Sequence, residues 1–316
     1  MDDALSSLLS LADPVGSVDL VCAVGGSFGI PHAPTSGFRA PFHLVSSGSC
    51  FVTVPGMPPL VLSAGDFVLL PTGSEHLLSG AAGSVPGAAT PATRLRPVPA
   101  EPGSQRLVPN YRAADGQSEV EIICGHFRYS AGAGELFFGA LPRLLRVPLP
   151  PAAQGSSEQI SALLHREAGV GGAGSTAIIS ALCTALLALA LRSTSVRIPT
   201  AWAVANDPDL LPAVHALLAA PADPPSLPGA AQLSGLSRAG FARRFRQASG
   251  QPWGEFSARV RMMIAAQELR SGTVSVEMIA KRVGYRSTAA FRQRFGQTLG
   301  RSPLRFRQEF STGARD

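Results

Sequence analysis

Gly235-Leu236-Ser237-Arg238-Ala239-Gly240-Phe241-Ala242-Arg243-Arg244-Phe245 is answered further along the chain by Gly284-Tyr285-Arg286-Ser287-Thr288-Ala289-Ala290-Phe291-Arg292-Gln293-Arg294-Phe295. Both phrases open on glycine, continue through serine and place two phenylalanines four residues apart. The match extends past them, with Gly250, Pro252 and Phe256 answered by Gly300, Pro303 and Phe306. A period of about fifty residues marks two similar supersecondary units in tandem.

Each unit reads as a helix-turn-helix. In the second, Val276, Ile279, Ala280 and Val283 recur at helical spacing. Gly284 then permits a left-handed turn and Ser287 caps the next helix. That helix buries Phe291 and Phe295 and leaves Thr288, Ala289, Arg292 and Gln293 facing outward. In the first, Ala230, Ala231 and Leu233 precede the turn, Ser237 is the cap, and Phe241 and Phe245 point inward. Ala239, Ala242 and Arg243 are then its outward face. Between them Pro252 to Arg270 reads as one joining helix, with Phe256, Val260, Met263, Ile264 and Leu269 on one side and Gly272 just past its end.

The phrases LSGLSRAGFARRF, SVEMIAKRVGYRSTAAFRQRF and GRSPLRFRQ resemble the DNA-binding domain of the AraC/XylS family of bacterial transcription regulators. The resemblance implies two recognition helices held by a rigid linker helix in successive major grooves. By that match Ala239, Ala242, Arg243, Thr288, Ala289, Arg292 and Gln293 face the bases. Alanine at several of these positions leaves direct readout by the first helix to Arg243. Ser237, Arg244, Arg246, Ser287, Arg294 and Arg301 are the candidate phosphate contacts, the alternative for the arginines being a solvated helix face. Charge agrees: residues 226–316 carry 16 Lys and Arg against 5 Asp and Glu, whereas residues 1–225 carry 11 against 16. All but Lys281 of those cations are arginines, which offer paired donors to guanine edges and phosphates.

At 316 residues the chain has room for two domains, and its 45% apolar content is that of a globular protein. The N-terminus, MDDALSSLLSLADP, is acidic and lacks a basic leader segment, which points to a cytoplasmic protein. The apolar run from Thr176 to Leu191 is shorter than a bilayer span and reads as a buried helix, with no membrane partner. Four cysteines in such a chain do not make a disulfide scaffold.

The N-terminal half alternates short strands and turns: Val18 to Val24, Phe42 to Ser46, Phe51 to Val54, Leu60 to Leu62, Asp66 to Leu70 and Glu119 to Tyr129. The stretch 79–117 is dense in Gly, Pro, Ala and Ser and is expected to be a flexible insertion. Gly65-Asp66-Phe67-Val68-Leu69-Leu70-Pro71-Thr72-Gly73-Ser74-Glu75-His76 resembles the second cupin motif. The first survives in part: Gly37, His43 and Gly56 fall at its spacing, but Val45 and Ser49 replace its second histidine and its glutamate. With FHLVSSGSC and CGHF, these phrases look like the cupin-type sensor found ahead of the DNA-binding domain in one branch of AraC-type regulators.

The cupin resemblance implies that His43 and His76 face one cavity. A thiolate from Cys22, Cys50 or Cys124, or His126, would have to complete a tetrahedral set, a mixture that suits zinc or another divalent metal. The predicted metal set is Cys22, His43 and His76; the alternative is a barrel whose histidines are ordinary core residues. Cys22, Cys50 and Cys124 are also candidate redox sensors, while Cys183 reads as a buried apolar thiol. Missing iron ligands argue against catalysis, so no catalytic residue is assigned; a metal-dependent cupin enzyme fused to a DNA-binding tail is the rival reading.

From Leu136 the pattern turns helical. Leu141, Leu144 and Leu145 suggest one segment, Glu158 to Glu167 a second, and Ser175 to Leu191 a third that is apolar nearly all round. Such a helix needs enclosure, which a homodimer or intradomain packing would provide. Asp207 to Ala219 reads as the helix that opens the last domain. The expectation is an α+β protein: a cupin-like antiparallel barrel over 1–140, a helical connector and dimerisation region over 141–200, and an all-α double helix-turn-helix domain over 201–316. It would be a transcription regulator binding double-stranded DNA, answering an unidentified small molecule, metal or oxidant at the barrel, with RNA polymerase a further candidate partner.

Overall fold

The computed structural model describes residues 3–25, 28–35, 37–80, 95–99, 107–113, 119–148, 151–193, 200–272 and 274–312. Two compact units result. One comprises Val15–Arg128 and Pro142–Ser193; the other comprises Met1–Pro14, Tyr129–Leu141 and Thr194–Asp316.

The first unit is built on two sheets. Strands β1 (Val15–Val24), β2 (Gly29–His32), β3 (Arg39–Ser47), β4 (Ser49–Thr53), β5 (Leu60–Ser63), β6 (Asp66–Leu69), β7 (His76–Ser79), β8 (Leu95–Pro97), β9 (Asn110–Ala113), β10 (Val120–Arg128) and β11 (Leu145–Pro148) fall into a seven-stranded sheet, β11-β6-β3-β10-β1-β9-β8, and a four-stranded sheet, β2-β7-β4-β5. One core draws on both: Cys22, Val45, Val68, Ile122 and Cys124 from the larger, Ile30, Val52, Leu62 and Leu78 from the smaller. The sheets therefore pack face to face, and β3 and β10 are buried along most of their length. Pairing is antiparallel except between β1 and β9.

Three expectations change here. The insertion at 79–117 carries two strands, β8 and β9, which extend the larger sheet beyond β1; residues 81–94, 100–106 and 114–118 lie outside the described ones. Leu145 opens a strand rather than lying on a helix, because Pro148 and Pro150 break any helical run and β11 pairs with β6 instead. The apolar helix is longer than its apolar run: α4 (Ser175–Ser193) follows α3 (Pro151–Val170) and is by length and composition apolar enough to cross a bilayer. It buries Ile179, Cys183, Leu186, Leu187, Ala190 and Leu191, and packs on β1 where a side chain at Gly16 would lie 2.2 Å from the Cβ of Cys183.

The second unit gathers three pieces of chain. Helix α1 (Ala4–Ala12) and helix α2 (Ala133–Phe138) join α5 (Leu211–Ala219), α6 (Leu227–Leu233), α7 (Arg238–Ser249), α8 (Trp253–Ser271), α9 (Val276–Arg282), α10 (Thr288–Leu299) and α11 (Pro303–Thr312). This departs from the expected boundaries at 140 and 200. The reason is apolar burial: α1 sinks Leu5, Leu8 and Leu9, α2 sinks Leu136, Phe137 and Phe138, and Phe137 stacks on Trp202 at 4.9 Å. The Trp202 indole also donates to the Phe137 carbonyl at 2.9 Å.

Both helix-turn-helix units form as the repeat predicts. Ser226, Ser237, Ser275 and Ser287 cap α6, α7, α9 and α10, each accepting from a backbone N–H three residues on. The turns differ in one respect. Gly235 and Gly284 both have positive φ, but a side chain at Gly284 would stand 2.5 Å from the Ala222 carbonyl oxygen, while Gly235 faces open space.

Candidate functional site

The two recognition-type helices bury one edge and present the other. Phe241, Phe245, Phe291 and Phe295 are fully buried, which contributes about 2 kcal/mol or more for each. On the opposite edge Ala239, Arg243, Ala289, Arg292 and Gln293 are exposed, with Ala242 and Thr288 partly so. Their spacing follows from the helical repeat, since residues three and four apart share a face.

The candidate phosphate arginines divide. Arg246 is exposed on α7 beside Pro252, Trp253 and Arg261, along a groove of about 540 Å³. The other three are engaged within the unit. Arg244 forks onto both oxygens of Asp207 at 3.0 Å and reaches Asp209 at 2.7 Å, which raises its pKa further. Arg294 meets Glu255 at 2.6 Å, and Arg301 joins Glu135 at 2.9 Å and Glu309 at 3.0 Å. Arg244 is bonded in a fork and Arg301 to two carboxylates, so these are not isolated surface pairs.

In the barrel, strand register assembles a polar cluster from two cross-strand pairs. His43 on β3 stands opposite Cys124 on β10, and His32 on β2 stands opposite His76 on β7. One pair belongs to each sheet, and the core they share brings them together. His43 Nε2 lies 2.7 Å from His76 Nε2, and His43 Nδ1 lies 3.2 Å from Cys124 Sγ. His32 stacks on His76 with centroids 4.5 Å apart. Ligating atoms of His32, His43 and Cys124 lie within 4.8 Å of one another. A cavity of about 150 Å³ adjoins them, with Asp19 and His126 paired at 2.8 Å on its wall.

Hydrogen bonding fixes a direction through this cluster. The Ser74 carbonyl lies 2.9 Å from His76 Nδ1, so that nitrogen carries the proton and Nε2 accepts. His43 Nε2–H then donates to it, and His43 Nδ1 accepts from the Cys124 thiol. Electrostatics keep the imidazoles neutral. Burial pulls His32 down to about 4, aided by His76; burial and the neighbouring rings hold His43 well below the usual range, and burial lowers His76. The neighbouring Cys22 thiol and burial hold the Cys124 thiol well above its usual range. Cys50 is pushed up to about 12 by burial and by Asp66, and remains a thiol.

Of the expected metal set, His43 and His76 do meet. The thiol beside them is Cys124, with Cys22 hydrogen-bonded to it rather than to a histidine. His32 was not anticipated, because GIPH has neither a motif nor a clear strand pattern. Its only sequence signal is a histidine at a strand end. Val45 and Ser49 do not restore an iron-type set: Val45 is buried among apolar core residues. Neutral imidazoles and a thiol are the nitrogen and sulfur donors a zinc-like ion takes, and His32, His43 and Cys124 offer three of them within 4.8 Å of one another.

The cupin family matches residues 3–195 and a helix-turn-helix domain family matches residues 230–309. An uncharacterized HTH-type transcriptional regulator of Haemophilus influenzae is 28% identical over 98% of this chain and 99% of its own length. The RCS-specific HTH-type transcriptional activator RclR of Escherichia coli is 26% identical over 97% of each chain. The HTH-type transcriptional regulator MtrA of Neisseria gonorrhoeae is 25% identical over 97% of this chain and 98% of its own. All three are transcription regulators by name. An N-terminal cupin domain joined to a paired helix-turn-helix domain makes this chain a member of the AraC family of DNA-binding transcription regulators.

Proposed function

We propose that this regulator receives its signal at the barrel cluster, and that the signal is carried by a metal ion of zinc-like preference. His32, His43 and Cys124 would hold it, with His76 as the fourth ligand once its hydrogen bond to His43 is given up. The observation that carries the reading is the approach of His32 from one sheet to the His43–Cys124 pair of the other, with ligating atoms within 4.8 Å of one another. Lowered histidine pKa values favour it, because a metal takes the neutral imidazole. The raised thiol must lose its proton, so uptake should release protons and strengthen with pH.

On the output side, Ala239, Ala242, Arg243, Thr288, Ala289, Arg292 and Gln293 form the base-facing set. Ser237, Arg246 and Ser287 contact phosphates, Arg244 and Arg301 exchange their carboxylate partners for phosphate, and Arg294 keeps Glu255 while offering phosphate the other end of its guanidinium. The exposed stripe of Ile178, Ala181 and Ala185 on α4 is the homodimer contact, and RNA polymerase is the further partner of a protein acting on promoters in the cytoplasm. A second reading rests on the hydrogen-bonded Cys22 and Cys124 thiols, which an oxidant would join while Cys50 stays reduced.

Elemental analysis of the full chain purified without chelator, followed by zinc titration, tests the first reading. About one zinc per chain, lost in His43→Ala and Cys124→Ser, is expected. Uptake unchanged in those variants would overturn it. Retention of full oxidant response in a Cys22→Ser/Cys124→Ser protein would remove the second.

A further inference from the structure

The two helix-turn-helix units are tied to the linker helix in different ways. The first is held by rings: Phe245 lies 5.2 Å from Trp253 and 5.3 Å from Phe256, Phe241 lies 5.7 Å from Trp253, and the Trp253 indole donates to the Pro225 carbonyl at 2.8 Å. The second is held at its turn by a guanidinium. Arg261 on α8 donates from Nε to the carbonyl of Val283 at 2.5 Å, and its carbon centre lies 4.4 Å from the Tyr285 ring centroid. Val283, Gly284 and Tyr285 are the turn that launches α10. A second tie reaches that helix directly, from Glu255 on α8 to Arg294 at 2.6 Å.

We propose that Arg261 is a positioning residue for DNA recognition: it fixes the pitch between α7 and α10, with Glu255 and Arg294 as the secondary brace. Arg261 is half-buried and its fork is used at both faces, one N–H on a carbonyl and the plane on a ring. Lysine offers neither the planar stack nor a donor at the Nε position. Gly284 belongs to the same turn, where a side chain would stand 2.5 Å from the Ala222 carbonyl oxygen.

The consequence is read in DNA spacing. Two readers in successive grooves must match a duplex of about 10 base pairs per turn, so one inserted pair rotates the second subsite by roughly 35°. A rigidly held α10 rejects that change; a loosened one tolerates it. The inference rests on α7 and α10 being the readers.

The test uses the full chain and an operator selected from a random duplex pool, compared with versions carrying one base pair more or fewer between the subsites. Wild type should prefer its own spacing by about tenfold or more, in line with the cost of a mismatched position. Arg261→Ala and Arg261→Lys should reduce that ratio to about twofold, and Glu255→Gln should reduce it by less. Circular dichroism checks folding. If Arg261→Ala does not fold, Arg261→Lys and Glu255→Gln decide the matter, because Glu255 is largely exposed. A spacing ratio equal to wild type in the folded variants, whatever their affinity, overturns the proposal. Arg243→Ala and Arg292→Ala on the same duplexes separate the two claims. Base preference unchanged in both would sink the reader assignment, whereas changed preference with an intact spacing ratio in Arg261 variants would sink the brace alone.

Discussion

The aromatic cluster around α8 and the imidazole–thiol cluster in the barrel are both buried, and they are buried for different reasons. Phe241, Phe245, Trp253 and Phe256 need nothing but contact, apart from one indole N–H that finds the Pro225 carbonyl. His32, His43, His76 and Cys124 bring polar atoms into an interior that penalises charge: one directional chain of hydrogen bonds satisfies His43, His76 and Cys124, while His32 stacks on His76 and its Nε2 has no hydrogen-bond partner among the described residues. An interior that wanted only stability would use the first kind. The second kind costs stability whenever a partner is protonated or lost, and that cost marks it as a site.

The sharpest way to break the contrast is Phe245→Ala, which should cost about 3–5 kcal/mol in denaturant unfolding of the DNA-binding unit and vary little with pH. A loss below about 1 kcal/mol would mean the ring is not the anchor it looks like. The barrel should behave in the opposite manner in chelated protein. Folded-state histidine pKa values lie below the unfolded value of 6.5, so the unfolded chain binds more protons between that value and the folded one. Stability is therefore full above about pH 6.5 and falls as pH drops toward the value of about 4 for His32. That residue alone accounts for about 3 kcal/mol, and barrel melting that stays flat across this window would contradict it. Gly284→Ala should cost about 1–3 kcal/mol through strain and contact, and Gly235→Ala, at the equivalent turn, less. Equal losses would mean that the Ala222 contact contributes nothing. The smallest effect is the most informative about purpose. His43→Leu with His76→Leu should change stability less than either single substitution, within about 1 kcal/mol, while removing zinc uptake.

How much of this could be read from the sequence follows the same division. The aromatic cluster was legible because phenylalanines four apart, serine caps and glycine turns are local and occur twice. His43 and His76 were legible through the cupin resemblance. Cys124 was one of three candidate thiols, and strand register selects it by setting it opposite His43, 81 positions away; His32 joins through its pairing with His76, 44 positions on, which leaves no local trace. Strands β8 and β9 sit in a stretch whose Pro and Gly content argued against them, and pairing with β1 overrides that local tendency. The ion pairs of Arg244 left no local trace, because Asp207 and Asp209 lie far back in the chain.

The central claim is that α7 and α10 read base sequence, and competition binding tests it most directly. The wild-type chain should bind its selected operator about 10³-fold or more above a scrambled duplex at physiological salt. Arg243→Ala and Arg292→Ala should each lower that ratio by about 1–3 kcal/mol, each at its own base position. Equal binding to both duplexes, or a uniform loss on both in the variants, would contradict it.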